Sequence, residues 1–166
     1  PDVRDVALGE NGIVAGAHPG LIVVDMSTIN PNAAREIGTE LATHGIEFMD
    51  APVSGGEIGA INAALTIMVG GKPAVFEQVK PLFEKMGKSV TLIGALGAGQ
   101  VAKACNQILT GVGVLAVAEA FNFAARNGAD VAKVREALLG GFAYSRILEN
   151  HGQRMLDRNF KPGFKA

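Results

Sequence analysis

The sequence predicts an α/β protein in which a mostly parallel sheet, with helices on its faces, is followed by a helical region. Three observations lead to this prediction. Short β-branched runs alternate with amphipathic segments over residues 1–95. Glycine, at 22 of 166 residues, is about twice as common as usual, which suits a protein with many tight strand-to-helix turns. After Gly99 the pattern changes to one long apolar helical segment.

The predicted sheet region begins with residues 21–25, an almost wholly apolar run typical of a parallel strand that is covered on both faces. Asn30 then supplies an N-cap and Pro31 the first helical position, so we expect a helix that ends before Gly45. The remaining predicted elements of this region are strands at 46–51, 65–69 and 90–93 and a helix at 73–86.

The helical region starts with residues 100–127, where only Lys103, Glu119 and Arg126 are charged. A helix that is apolar on all sides must be buried by other helices or by a second subunit. Two shorter helices are predicted at 130–139 and 145–156. We therefore predict a domain boundary near residues 94–99, with domains at 1–95 and 96–166.

Composition excludes several classes of protein. A net charge of −1 without a basic stripe makes nucleic acid an unexpected partner. A single cysteine cannot form an internal disulfide, which favours the reducing cytoplasm. The apolar runs are interrupted well short of the roughly 20 residues that span a bilayer, so we expect no membrane association. His18, His44 and His151 lack the spacing of metal ligands, so we expect no metal.

The turn Ser54-Gly55-Gly56 follows a predicted strand and is the first candidate for a site. Consecutive glycines let backbone N–H groups converge on one point, and such a nest binds an anion such as a carboxylate. A glycine turn that only reverses the chain is an equally good reading of these residues alone.

Lys103 is the second candidate, because it lies in the first turns of the long helix among apolar neighbours. Desolvation and the positive helix end both disfavour the ammonium form, so its pKa should be lowered toward a range useful for proton transfer. Asn106 and Gln107 project from the same helix face and can bind a hydroxyl or carbonyl oxygen. A solvated surface lysine is the alternative. Cys105 lies on another side of the helix and is predicted to be a small core residue.

Two further motifs are weak or missing. Gly97-Ala98-Gly99 resembles part of a dinucleotide-binding glycine motif, but Ala102 stands where the third glycine would be. A serine-hydrolase elbow of the Gly-x-Ser-x-Gly kind does not occur at Ser54.

Four blocks together resemble the β-hydroxyacid dehydrogenase family, in the same order and at similar spacing. They are Ser27-Thr28-Ile29-Asn30-Pro31, the segment 50–56, the segment from Gly97 through Lys103 to Gln107, and the segment 157–164. The resemblance covers essentially the whole chain. It implies the C-terminal half of a Rossmann-type sheet domain followed by the start of an all-helical domain, and homodimers or homotetramers that exchange helical packing.

The resemblance also implies an activity and a role for individual residues. The expected reaction interconverts a short β-hydroxyacid and its semialdehyde with NAD or NADP, with tartronate semialdehyde and glycerate as the first candidate pair and 3-hydroxyisobutyrate as the alternative. Thr28 and Phe164 would lie at the cofactor. Ser54, Gly55 and Gly56 would hold the substrate carboxylate, Lys103 would be the general acid, and Asn106 or Gln107 would orient the substrate.

The resemblance has limits at both ends of the sequence. The family's first glycine-rich strand and turn and a lysine-aspartate segment after Phe164 are not among the 166 residues, so we expect a piece of a longer chain that binds dinucleotide poorly by itself. A 6-phosphogluconate dehydrogenase is disfavoured because Asn106 and Gln107 replace that relative's histidine and asparagine, and an imine reductase because Lys103 is retained. A non-catalytic binding module of the same fold stays open.

Overall fold

A computed structural model describes residues 2–161 of the chain. These residues form two compact units, and the division falls between Cys105 and Asn106. The elements are α1 (Asp2–Leu8), α2 (Ile13–Gly16), β1 (Ile22–Asp25), α3 (Pro31–Thr43), β2 (Glu47–Asp50), β3 (Val53–Ser54), α4 (Gly56–Ile61), β4 (Leu65–Gly70), α5 (Pro73–Met86), β5 (Gly87–Gly94), α6 (Ala98–Arg126), α7 (Val131–Leu139) and α8 (Arg146–Leu156). The predicted fold class, a Rossmann-like α/β sheet followed by helices, is confirmed.

The sheet of the first unit is mostly parallel, as predicted, but it also contains antiparallel pairs. β1 pairs with β2 and β4 pairs with β5 in parallel, but β4 runs antiparallel to both β2 and β3. The physical reason is the short segment β3–α4, which reverses the chain between β2 and β4. Strand β3 has only two residues and was not predicted from the sequence.

The two faces of the sheet are covered by different helices. Phe48 packs with buried residues of α3, whereas the next residue, Met49, packs with buried residues of α5, because successive side chains of a strand point to opposite faces. The predicted start of α3 is confirmed, since the side chain of Asn30 accepts a hydrogen bond from the Asn32 N–H at 2.8 Å. Each face therefore has a core of its own.

The second unit contains most of α6 together with α7 and α8. Its buried cluster consists of Val117 and Phe121 from α6 and Leu148 from α8. Asp130 caps α7 by accepting from the Ala132 N–H at 2.9 Å. The Ser145 hydroxyl caps α8 by accepting from the Leu148 N–H at 3.0 Å.

Helix α6 bears on three of the sequence predictions. Its middle is not buried by other helices of the described chain, with Ile108, Leu109, Val112 and Leu115 all more than half exposed, so of the two predicted covers only a second subunit stays a prediction. Cys105 is exposed as well, so the prediction of a core cysteine is wrong, because no described helix covers that side of α6. The expectation that no segment could span a bilayer was also too strict: by length and composition alone, Ala98–Arg126 could do so.

Candidate active site

The loop that follows β1, formed by Ser27, Thr28 and Ile29 and called here the 27–29 loop, lies at the carboxyl end of a parallel strand. The Asp25 carboxylate accepts from the Ser27 N–H at 2.9 Å and shapes the start of this loop. Thr28 is exposed. The loop lines a cavity of about 550 Å³ together with the first turns of α1 and α3. Ligands of open α/β sheets bind at this end of the strands.

The Ser54-Gly55-Gly56 turn connects β3 to α4. Gly55 has φ +137° and Gly56 has φ +62°, and the first of these values is accessible only to glycine. Gly55 and Gly56 are exposed, and no side chain of residues 2–161 caps the start of α4. The backbone N–H groups at this turn are therefore free of a capping side chain, which is the arrangement that an anion nest requires.

Lys103 lies on α6 within the first unit, close to this turn. Its ammonium Nζ donates a hydrogen bond to the carbonyl oxygen of Val53 at 2.8 Å, and Val53 immediately precedes Ser54. Partial burial lowers the pKa of Lys103 by desolvation, in the direction predicted from the sequence. The structure thus brings Lys103 close to the Ser54-Gly55-Gly56 turn.

The remaining predicted site residues are Asn106, Gln107 and Phe164, and the described contacts do not join them to Lys103 or to residues 54–56. The amide of Asn106 donates to the side-chain oxygen of Gln107 at 2.9 Å, so the two amides are paired with each other in the second unit. Gln107 is exposed and Asn106 is partly buried. Phe164 lies outside the described residues.

Asp50 is a polar residue of this region to which the sequence analysis assigned no role. It is fully buried at the end of β2, and its two carboxylate oxygens accept from the backbone N–H of Gly97 at 2.7 Å and of Gln100 at 2.8 Å. A carboxylate in this position satisfies free N–H groups at the start of α6 and complements the helix dipole. The signal available in the sequence was an acidic residue at the end of an otherwise apolar strand.

Gln100 is the second residue that the sequence analysis missed. Its side chain is 1% exposed, donates to the Ser27 carbonyl at 2.8 Å and accepts from the Ile29 N–H at 3.1 Å. The side-chain amide therefore connects α6 to the 27–29 loop. In the sequence, the indication of a function was the position of Gln100 directly after the glycine-rich segment 97–99.

Glycines make this close approach possible. A Cβ at Gly99 would meet backbone oxygens of Met68 and Asp50, and a Cβ at Gly70 would meet the Asp50 carboxylate and the Gly99 N–H. The start of α6 therefore lies directly against the strand ends, and larger residues at these two positions would separate them.

A second cavity, of about 600 Å³, lies elsewhere in the first unit. It is largely apolar, and its rim carries the exposed ion pair between Lys72 and Glu47 at 2.7 Å. None of the predicted site residues within 2–161 lines it. Within residues 2–161, His, Cys, Asp and Glu side chains form no group of three that could hold a metal ion.

Comparison with known protein families gives two matches that together cover nearly the whole chain. Residues 1–94 match the NAD-binding domain of 6-phosphogluconate dehydrogenase. Residues 97–166 match the NAD-binding domain of NADP-dependent 3-hydroxyisobutyrate dehydrogenase.

Individual relatives agree with these matches. The chain is 52% identical to 2-hydroxy-3-oxopropionate reductase of Escherichia coli strain K12 over 165 residues, which are 99% of the chain and 56% of that protein. It is similar to the crystal structure of 3-hydroxyisobutyrate dehydrogenase from Salmonella typhimurium (TM-score 0.86, 32% identity), covering 98% of this chain and 57% of that one. It is also similar to Psf3 in complex with NADP+ and 2-OPP (TM-score 0.85, 26% identity), covering 95% of this chain and 56% of that one. The chain thus spans about half the length of the relatives it matches.

Proposed function

We propose, from the premise that this chain belongs to the 3-hydroxyisobutyrate dehydrogenase-like family of NAD-binding oxidoreductases, that the full-length protein reduces a short semialdehyde acid to the β-hydroxyacid with NADH or NADPH. One observation carries the proposal. The Lys103 ammonium is hydrogen-bonded to the carbonyl of Val53, next to the Ser54-Gly55-Gly56 turn. A proton donor beside an anion nest matches a small substrate that carries both a carboxylate and a carbonyl.

The nest would hold the substrate carboxylate. The Ser54 hydroxyl and the backbone N–H groups of Gly55 and Gly56 are hydrogen-bond donors, and no side chain of the described part of the chain caps the start of α4. Fixing the carboxylate would place the carbonyl group of a three- or four-carbon acid toward Lys103. Positioning of this kind is a large part of what a protein contributes to a cofactor-dependent reaction.

Lys103 would supply the proton to the carbonyl oxygen. Its lowered pKa makes the ammonium a stronger acid than an ordinary lysine, and that favours proton transfer at physiological pH. Asn106 and Gln107, one turn further along α6, carry amides suited to bind a hydroxyl or carbonyl of the substrate. Their pairing at 2.9 Å would then be exchanged for bonds to the ligand.

The nicotinamide cofactor would supply the hydride when bound. The 27–29 loop and its cavity of about 550 Å³ suit the cofactor side of the site, because they lie at the carboxyl end of β1 and expose the Thr28 hydroxyl. Thr28 would contact the cofactor from this loop. The role of Phe164 at the cofactor is carried by the family resemblance alone.

Tartronate semialdehyde, with glycerate as the product, is the substrate we favour. The support is the 52% identity to the Escherichia coli 2-hydroxy-3-oxopropionate reductase. 3-Hydroxyisobutyrate is the alternative, supported by the resemblance to the Salmonella enzyme. Differences among such substrates rest on a few pocket contacts, each worth about 1 to 3 kcal/mol.

The test is oxidation of NADH and NADPH by the full-length protein on tartronate, methylmalonate and succinic semialdehydes. We expect turnover with the first of these, and a Lys103→Met variant should lose about 100-fold or more in kcat. Lys133→Met, at an exposed lysine of α7, is the matched control and should keep wild-type activity. A folded protein that oxidises neither cofactor with any of the three substrates would refute the proposal in favour of a binding module.

We also propose that the protein forms homodimers or homotetramers through the exposed apolar face of α6. That face carries Ile108, Leu109, Val112 and Leu115, and contiguous apolar surface of this kind marks an interaction site. A division into domains at 1–95 and 96–166 is supported by the two family matches, which meet between residues 94 and 97. The cytoplasmic location and the absence of nucleic-acid binding remain predictions from composition.

A further inference from the structure

We infer that Gln100 is a positioning residue that fixes the 27–29 loop, and Thr28 within it, to the helical turn that carries Lys103. The inference rests on the proposed function, because it concerns the alignment of the cofactor side of the site with the proton donor. It is carried by contacts of a buried side chain that the proposed chemistry itself does not use.

The Gln100 side chain makes two hydrogen bonds with the 27–29 loop. Its Nε2 donates to the carbonyl of Ser27 at 2.8 Å, and its Oε1 accepts from the N–H of Ile29 at 3.1 Å. These two backbone groups belong to the residues on either side of Thr28. One planar amide therefore holds the backbone both before and after Thr28.

The backbone of Gln100 is itself held in place by Asp50. Its backbone N–H donates to one carboxylate oxygen of Asp50 at 2.8 Å, while the N–H of Gly97 donates to the other oxygen at 2.7 Å. Asp50 is fully buried at the end of β2. The 27–29 loop is thus connected through Gln100 to a helix start that is anchored in the sheet.

Gln100 lies close to the proposed proton donor along helix α6. Lys103 follows Gln100 by three residues, which is just under one helical turn of about 3.6 residues. A displacement of the 27–29 loop relative to this turn would move Thr28, which would contact the cofactor, away from the proton donor Lys103. Misplacement by about 1 Å can cost about 100-fold in rate.

Burial supports a specific role for this amide. Glutamine is rarely fully buried, and an apolar side chain of similar size would fill the same volume without requiring partners. Gln100 is 1% exposed, and both its donor and its acceptor have partners in one loop. The side chain therefore determines a loop position in addition to filling space.

The test compares Gln100→Met with the same substitution at Gln78 in the full-length protein. Methionine keeps the length of the side chain and removes both hydrogen bonds. Gln78 is an exposed glutamine of α5 whose side chain, among the residues that the structure describes, donates to the Ala74 carbonyl of its own helix, so Gln78→Met should behave as wild type. Two quantities are measured: hydrogen exchange of the Ile29 amide by NMR, and the primary deuterium isotope effect on kcat with cofactor deuterated at the transferred hydrogen.

We expect Gln100→Met to speed exchange of the Ile29 amide by about tenfold, with the Ala51 amide, which bonds the Asp25 carbonyl, unchanged. We also expect kcat to fall by about 10- to 100-fold and the isotope effect to rise, because hydride transfer becomes slower than the other steps. Partial unfolding lowers kcat only through the fraction of active molecules and leaves the isotope effect unchanged.

An unchanged hydrogen-exchange rate of the Ile29 amide in Gln100→Met would show that Gln100 does not hold the loop, and would overturn the inference. A fall in kcat with an unchanged isotope effect would overturn it at its chemical step. Wild-type protein inactive on all three semialdehydes would instead refute the proposed function, and faster exchange at Ile29 in the variant would then still support the link between Gln100 and the loop.

Gln100→Glu serves if the methionine variant does not fold. In its ionised form, which a high pH of measurement favours, the carboxylate keeps an acceptor for the Ile29 N–H and lacks the donor to the Ser27 carbonyl. We expect Ile29 to remain protected while the isotope effect rises. Wild-type kinetics in this variant would overturn the requirement for the bond to Ser27.

Discussion

The core of the sheet unit and the middle of α6 are both apolar in sequence, but the described chain buries only the first. In the sheet unit, Ile37, Met49, Ile67 and Phe83 are at most 2% exposed. In the helical unit, the described chain leaves Leu109 and other large apolar side chains of α6 in solvent. Apolar sequence thus forms the chain's own core in one region and stays exposed in the other, where we propose that a second copy covers it.

The largest expected effect concerns the exposed face of α6. If a second copy covers it, Leu109→Glu buries an unpaired charge at the interface and should weaken self-association about 100-fold or more. Sedimentation of the full-length protein measures this. Leu82→Glu, at a comparably exposed leucine of α5, is the control and should leave association unchanged. Equal behaviour of the two variants would remove α6 as the interface.

The next prediction contrasts a buried helix cap with an exposed one. Asp50→Ala leaves the buried N–H groups of Gly97 and Gln100 without an acceptor, and should lower the free energy of unfolding by about 3 kcal/mol. Asp130→Ala removes the exposed cap of α7 and should cost about 1 kcal/mol. Urea denaturation measures both values. A cost at Asp130 that equals or exceeds the cost at Asp50 would contradict the contrast.

Two glycines of the same helix should respond to alanine with opposite signs. A Cβ at Gly99 would meet backbone oxygens of Met68 and Asp50, so Gly99→Ala should destabilise by about 2 kcal/mol. A Cβ at Gly111 meets no atom within 4 Å, so Gly111→Ala should stabilise the helix by about 0.5 to 1 kcal/mol. Thermal melts of both variants against wild type test the pair. Destabilisation by Gly111→Ala would reveal close packing on the exposed face.

The smallest expected effect is a dependence of the proposed reaction's rate on pH. It arises at Lys103, which is partly buried near the start of α6. Burial lowers the pKa of Lys103 below the ordinary value for lysine. Reduction needs the protonated amine, so kcat/KM should be constant at low pH and fall by about tenfold per pH unit above this pKa. Oxidation needs the neutral amine and should show the opposite slope. Identical profiles for wild type and Lys103→Met would contradict the assignment.

Local patterns were enough to predict most of the elements. The bounds of α5 match the prediction, and Asn30, Asp130 and Ser145 cap helices as their residue types indicate. These features depend on residues close together in the sequence. Strand β3 escaped prediction because two residues are too few to show a period, and its pairing with β4 is a tertiary property.

Residues of the candidate site could be singled out from the sequence where they belong to a short motif. Residue type and spacing pointed to Lys103 and to the turn at residues 54–56, which lie close together in the structure. The roles of Asp50 and Gln100 could not be predicted in this way, because their partners lie 47 to 73 residues away and become neighbours only after folding. The exposure of Cys105 was mispredicted because periodicity does not reveal which molecule covers an apolar face.

The bond between Lys103 and the Val53 carbonyl has a consequence for the cycle of the proposed reaction. An ammonium has three N–H bonds and a neutral amine has two, so the bond at 2.8 Å can persist after the proton has left. The nitrogen then stays in place between turnovers, with its lone pair available to accept a new proton. Protonating the amine again requires a proton from water and no rotation of the side chain. The bond to the Val53 carbonyl that orients the proton donor therefore also sets the position at which the amine regains its proton.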